Sequence, residues 1–104
     1  MKIIIPSNDK IHISVDFVTS KLFLVASAGN GYIDFLEIRQ NPVVMNQNNA
    51  NQIDMLFNFL CDCQVIICRN IPKELSTRFK AMDIKVMKTM EENIRKAITN
   101  LICR

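Results

Sequence analysis

Two short apolar runs constrain this chain most. They are Ile3-Ile4-Ile5, inside the opening Met1-Lys2-Ile3-Ile4-Ile5-Pro6-Ser7-Asn8-Asp9, and Val65-Ile66-Ile67-Cys68, which follows Cys63-Gln64. Each stops abruptly at polar residues. A run that is apolar at consecutive positions is buried on both faces, the condition of a strand inside a parallel or mixed sheet flanked by helices. Open α/β sheets bind ligands where such strands deliver their loops, at the carboxyl edge. The two runs therefore predict both a fold class and the place of a site.

The rest of the chain fits around them. Lys21 to Ala26 and Tyr32 to Ile38 read as two further strands. Ala28-Gly29-Asn30-Gly31 lies between them, and the only two glycines of the protein suggest a tight hairpin that uses positive φ. Asn41-Pro42 closes the third strand. The asparagine-rich stretch Asn46 to Gln52 reads as a connector ending in a helix cap. Ile53, Leu56, Phe57 and Leu60 recur at one helical face. Pro72 opens a second helix carrying Leu75, Phe79 and Met82 on one side. Ile84 to Met87 supplies a fifth strand. Glu91-Glu92 then leads into a helix with Ile94, Ala97, Ile98 and Leu101 inward, the acids suiting its positive N-terminal end. The predicted order is βββαβαβα, a three-layer α/β fold with a mixed five-stranded sheet, and residues 1–104 read as a single domain.

Composition removes several classes of function. Of the 104 residues 49% are hydrophobic and 22% charged, which argues against disorder. No apolar stretch approaches the roughly 20 residues of a membrane-spanning helix, and the opening lacks the features of a secretory signal, so a cytoplasmic protein is expected. Four cysteines in such a chain do not suggest a disulfide framework, and reduced thiols are expected. Residues 1 to 68 carry four basic and six acidic side chains, whereas residues 69 to 104 carry nine basic and four acidic. The basic residues of the second half alternate with acids, and only one Tyr and no Trp are available for stacking, so nucleic-acid binding is disfavoured.

The topology brings Ser7, Asn8, Asp9, Asp16, Cys68, Arg69 and Asn70 to the carboxyl edge, with Lys88-Thr89 nearby. An anion there would meet Arg69, Lys88 and the amides that open the helices near Pro72 and Thr89. The plainer alternative is that these are polar loop ends. Cys61, Cys63 and Cys68 are a cluster of soft ligands, but Cys-x-Cys with a distant third thiol lacks metal-site spacing, and Cys63 and Cys68 should sit at opposite ends of one strand. Cys103 reads as a packing residue. His12, alternating in Ile11-His12-Ile13, reads as solvated, and one histidine supports no nucleophilic triad.

Several strings resemble the dinitrogenase iron-molybdenum cofactor biosynthesis family. They are Met1 to Ser7, Asp16-Phe17 before Leu22-Phe23-Leu24-Val25, and Cys63 to Cys68 followed by Lys80-Ala81-Met82-Asp83-Ile84-Lys85-Val86. The resemblance spans nearly the whole chain. It implies a ribonuclease H-like fold and a non-enzymatic role in carrying or inserting an iron-sulfur or iron-molybdenum cluster. Its partner would be a cluster donor or acceptor protein. Cys68, from its place at the end of the buried strand, is the candidate metal ligand, the alternative being a small core hydrophobe. The departures are specific. Family members commonly have His-Phe-Gly where this chain has Asp16-Phe17-Val18, glycines where it has Arg69-Asn70-Ile71-Pro72, and a glycine where it has Asp83. Some carry a Cys/His-rich segment where Val43 to Gln52 has neither residue. A ribonuclease H-like fold also raises nuclease activity, which needs converging carboxylates. The first strand offers none, and Asp34 and Glu37, three apart, are expected on opposite faces. The competing expectation is an interaction module that has lost its ligand and associates, for example as a homo-oligomer, through Met45, Met55, Met87 and Met90.

Overall fold

Lys2–Ser7 forms β1, and from Ile3 to Ser7 every side chain is buried. Its isoleucines are divided between two cores, Ile4 toward one face of the sheet and Ile3 and Ile5 toward the other. Full burial of such a side chain contributes roughly 1.5–3 kcal/mol, against about 0–1 kcal/mol for an exposed ion pair. This strand is therefore the natural centre of the sheet. The structure is a computed structural model that describes residues 1–45 and 51–102, without the side chain of Met45.

After β1 come β2 (Leu22–Gly29), β3 (Tyr32–Gln40), α1 (Pro42–Met45), α2 (Gln52–Leu60), β4 (Val65–Cys68), α3 (Lys73–Ala81), β5 (Lys85–Lys88) and α4 (Ile94–Ile102). The sheet order is β3-β2-β1-β4-β5. β2 is antiparallel to β1 and β3, while β1, β4 and β5 are mutually parallel neighbours in that order. This is the mixed five-stranded sheet of a three-layer α/β fold. One core joins Ile4, Phe23, Ile66 and Cys68 to Leu56, Leu60, Leu75 and Phe79 of α2 and α3. The other joins Ile3, Ile5, Val65 and Ile67 to Ile94, Ala97 and Ile98 of α4.

Four local expectations are corrected. The short helix α1 follows Asn41, whose side chain accepts from Val43 N (2.9 Å) and donates to Val18 O and Ser20 O. Its sequence, too short for a helical period, showed only the proline. In the hairpin only Gly31 has positive φ (79°); Gly29 does not, and a Cβ there would first meet the ring of the exposed Tyr32 side chain, 2.6 Å away. Met82, expected inward on the second helix, is the exposed C-cap residue of α3. Finally, a bulge at Leu36 pairs Val25 with Glu37 but Ala26 with Phe35, which places Asp34 and Glu37 on the same face of the sheet rather than on opposite ones.

Asp83, where the resemblance implies a glycine, takes the left-handed conformation, φ 60°. The turn into β5 thus uses positive φ at a residue other than glycine. Asn51 caps α2 with no side-chain hydrogen bond. The connector proposed from Asn46 onward lies, up to residue 50, outside the described residues, as does Cys103. No helix among the described residues is long and apolar enough to cross a membrane.

Candidate functional site

β1, β4 and β5 run parallel, so Ser7, Cys68 and Lys88 end at one edge of the sheet. The loop after Ser7 is folded back over that edge by its own side chains. Ser7 is fully buried, and its Oγ donates to His12 O (2.7 Å) while accepting from Lys10 N (2.9 Å) and Asp9 N (3.3 Å). Asp9 Oδ1 accepts from Ile11 N and His12 N (2.9 and 2.7 Å), and Lys10 takes the left-handed conformation, φ 72°. The turn is then stapled outward: Ile13 N donates to Glu92 O (2.7 Å), Ile94 N to Ile11 O (3.0 Å) and Ser14 N to Pro6 O (2.9 Å). Short polar side chains that bond to nearby amides supply this geometry without a hydrophobic core of their own.

Two adjoining clefts result. One, about 390 Å³, lies between Val15-Asp16-Phe17 and Asn70-Ile71-Pro72. The second, about 260 Å³, shares Val15 and is lined by Asn8, Asp9, His12, Ser14, Arg69 and Glu92. Phe17 floors the first from the core, its ring 5.2 Å from that of Phe23. Asn70 Nδ2 reaches Val15 O at 3.4 Å, and Arg69 stands 3.7 Å from Glu92.

Electrostatics mark the second cleft. His12 Nδ1 lies 2.6 Å from Asp9 Oδ2, which leaves Nε2 as the ring nitrogen without a partner among the described residues. The hydrogen bond from the imidazole, then those from the backbone of His12 and Ile11, hold the Asp9 carboxyl well below the usual carboxylate range. The same contact raises the His12 pKa above its ordinary 6.5, the Asp9 charge adding to it and Glu92 contributing further. Arg69 and, when protonated, His12 thus stand against the carboxylates of Glu92 and Asp9, and the cleft pairs charges of both signs.

Of the residues expected at this edge, Asn8, Asp9, Asp16, Arg69 and Asn70 line the clefts. Ser7 and Cys68 do not. Ser7 is the buried anchor of the loop, and Cys68 is a core residue with no exposed surface. Burial pushes the Cys68 thiol up to about 11, with Lys88 acting in the opposite sense. Burial also pushes the Cys63 thiol up to about 12, and its Sγ contacts Leu60 O at 3.3 Å. Cys61, Cys63 and Cys68 are all free thiols. Among the described residues no group of three His, Cys, Asp or Glu side chains is placed to hold a metal ion.

His12 and Glu92 were missed as cleft residues. His12 is exposed as expected, yet it belongs to the cleft because Asp9 turns it back. The Asp9-x-x-His12 spacing was the available signal, since an aspartate that bonds amides two and three residues on reverses the chain. Glu92 was read only as a helix-leading acid, and its arrival depends on the long-range bridge between His12 and Asn93.

The comparisons with known proteins agree with this architecture. Residues 1–103 match the sequence profile described as dinitrogenase iron-molybdenum cofactor. The chain belongs to that family. Among solved structures it is similar to PH0822, with a TM-score of 0.79 and 20% identity over 99% of this chain and 91% of that one. A dinitrogenase candidate, mj0327 of Methanocaldococcus jannaschii, gives 0.72 and 20% over 97% and 86%. A NifB protein candidate from Thermotoga, TM1290, gives 0.65 and 17% over 96% and 85%. At these identities the structural likeness speaks for the fold alone. No curated protein matches the sequence.

Proposed function

We propose that this member of the dinitrogenase iron-molybdenum cofactor family is a non-enzymatic cytoplasmic accessory domain. It holds an anionic, metal-containing cargo at the paired clefts of the carboxyl edge and passes it between a donor and an acceptor protein. The observation that carries the reading is the meeting of Arg69, Asn70 and the free Nε2 of His12 beside the clefts. The donor set does not suit a cluster held by several protein thiolates, because Cys63 and Cys68 are buried and protonated at neutral pH. It suits a cargo that brings most of its own ligands and is recognised by the donors of one guanidinium, side-chain amides and one imidazole. Neutral His12 can donate Nε2 to a metal, with Asp9 orienting the ring from Nδ1. Protonated His12 adds instead to the charge of Arg69. An iron-sulfur or iron-molybdenum cluster is the cargo the family implies.

The second reading is an interaction module that kept the fold without the ligand, favoured by the inert state of those two buried thiols. Anaerobic reconstitution with iron and sulfide, followed by visible absorption and metal analysis, separates the two. The comparison is among wild type, Arg69→Gln, His12→Gln and Cys68→Ala. Carriage at the edge predicts stoichiometric iron in wild type, reduced iron in the Arg69 and His12 variants, and unchanged iron in folded Cys68→Ala. Absence of iron from wild type favours the interaction module. Loss confined to Cys68→Ala would reverse the assignment of ligands.

A further inference from the structure

β3 is an outer strand of the sheet, and among the described residues no backbone hydrogen bond reaches its free side. It is nine residues long, and Phe35, Leu36 and Ile38 are 42%, 57% and 48% exposed. Exposed apolar side chains on a long, open edge are what a partner strand would cover. We propose that this edge pairs antiparallel with the same edge of a second copy of the chain, Phe35 opposite Ile38 and Asp34 opposite Arg39, joining the two sheets across a twofold axis.

The register follows from the bulge. The bond from Asn41 N to Lys21 O fixes the alternation along β2 and β3, so that Ile38 and Gln40 turn their amides and carbonyls away from β2. The two-residue Asn30-Gly31 turn, closed by Gly29 and Tyr32, does the same for Ile33 and Phe35. Facing directions are set by β2. Phe35 and Ile38 lie opposite Ala26 and Leu24 on the α4 side, whereas Asp34, Glu37 and Arg39 lie on the α2 and α3 side. In a regular strand residues three apart face opposite ways, but the extra residue Leu36 brings Phe35 and Ile38 into phase.

Three registers overlap almost the whole strand. Centring on Leu36 sets Phe35 against Glu37 and throws the two faces out of phase. A shift toward the hairpin sets Asp34 against Glu37, like charges directly opposed. A shift the other way sets Phe35 against Ile38 and Ile33 against Gln40, each pair with its free backbone groups in position to bond. It also sets Asp34, which has no partner among the described residues, beside Arg39, whose guanidinium already bonds Asp62, Glu37 and Phe59 O, so the pair adds opposite charge rather than a new bidentate bridge. Bulges and charges on an edge usually block added strands. Across a twofold axis the two bulges fall opposite one another and the pattern becomes self-complementary.

The test is sedimentation of the full chain over a wide range of concentration, with hydrogen exchange at the amides of Ile33, Phe35, Ile38 and Gln40. The expected result is a monomer–dimer equilibrium in which these four amides slow as the dimer fills. Ile38→Lys, at an exposed position that leaves the fold intact by circular dichroism, weakens dimerisation by more than about tenfold. Asp34→Lys weakens it less, and Asp34→Glu leaves it near the wild-type value. A monomer at every concentration would overturn the proposal. So would a dimer that is indifferent to Ile38→Lys or whose β3 amides exchange as in the monomer.

Discussion

The centre of the sheet and the loop across its carboxyl edge are held by different physics. In β1 and β4 the backbone ladder is flanked on both faces by apolar side chains with almost no exposure, drawn from α2 and α3 on one side and α4 on the other. In residues 8–14 the chain is shaped by single polar atoms, above all Ser7 Oγ and the Asp9 carboxylate, each of which gathers several hydrogen bonds. The first region stands on the number of its contacts, the second on the identity of a few. Core substitutions should therefore cost stability broadly, while loop substitutions should alter the site with the fold in place.

The largest effect tests the first half of that contrast. Phe79 is fully buried on α3, its ring 5.5 Å from that of Phe57. Phe79→Ala should lower unfolding free energy by about 3–5 kcal/mol, read from urea denaturation. A loss below about 1 kcal/mol would mean that this core repacks freely. Ser7→Ala should cost less, about 0.5–1.5 kcal/mol, because it removes the hydroxyl's bond to the His12 carbonyl and the acceptor of two loop amides that water can partly replace. Its sharper signature is local: faster hydrogen exchange at Asp9 and Lys10 with β4 unchanged. Uniform acceleration in both regions would break the distinction.

The smallest effect is electrostatic. With a folded-state pKa raised above 6.5, His12 contributes stability that is complete below that value and is lost as pH rises through the raised one. Asp9, its pKa lowered from 3.8, contributes above 3.8 and loses its contribution as pH falls through the lowered value. The pair therefore supports the loop best between about pH 4 and pH 6.5. An NMR titration should place His12 above 6.5, and Asp9→Asn should return it toward the ordinary value. A His12 that titrates identically in both proteins would remove the contact as the cause. Because both groups are exposed, the effect belongs to the loop and to ligand affinity rather than to global stability.

The same contrast explains what could be read from sequence. Strands such as Ile3-Ile4-Ile5 and helical faces such as Leu56 with Leu60 announce themselves by period, and the succession of five strands and three longer helices followed from them. Features that depend on one inserted residue or one distant bond were not legible. The bulge at Leu36 changes the facing of Asp34 with no change in composition, and Glu92 reaches the cleft only because Ile13 N finds its carbonyl. Cys68 was legible as the end of β4. That it faces the core filled by Leu75 and Phe79 required knowing which helices pack on that side.

Because Cys63 and Cys68 are sealed within one core, a thiol reagent meets them only when the domain opens. Their alkylation rates then act as clocks. With reagent scarce or slow, each rate reports how often the interior is exposed at equilibrium, and with reagent fast it reports the opening step itself. The chain thus carries two native reporters of its own breathing, one where it enters β4 and one where it leaves.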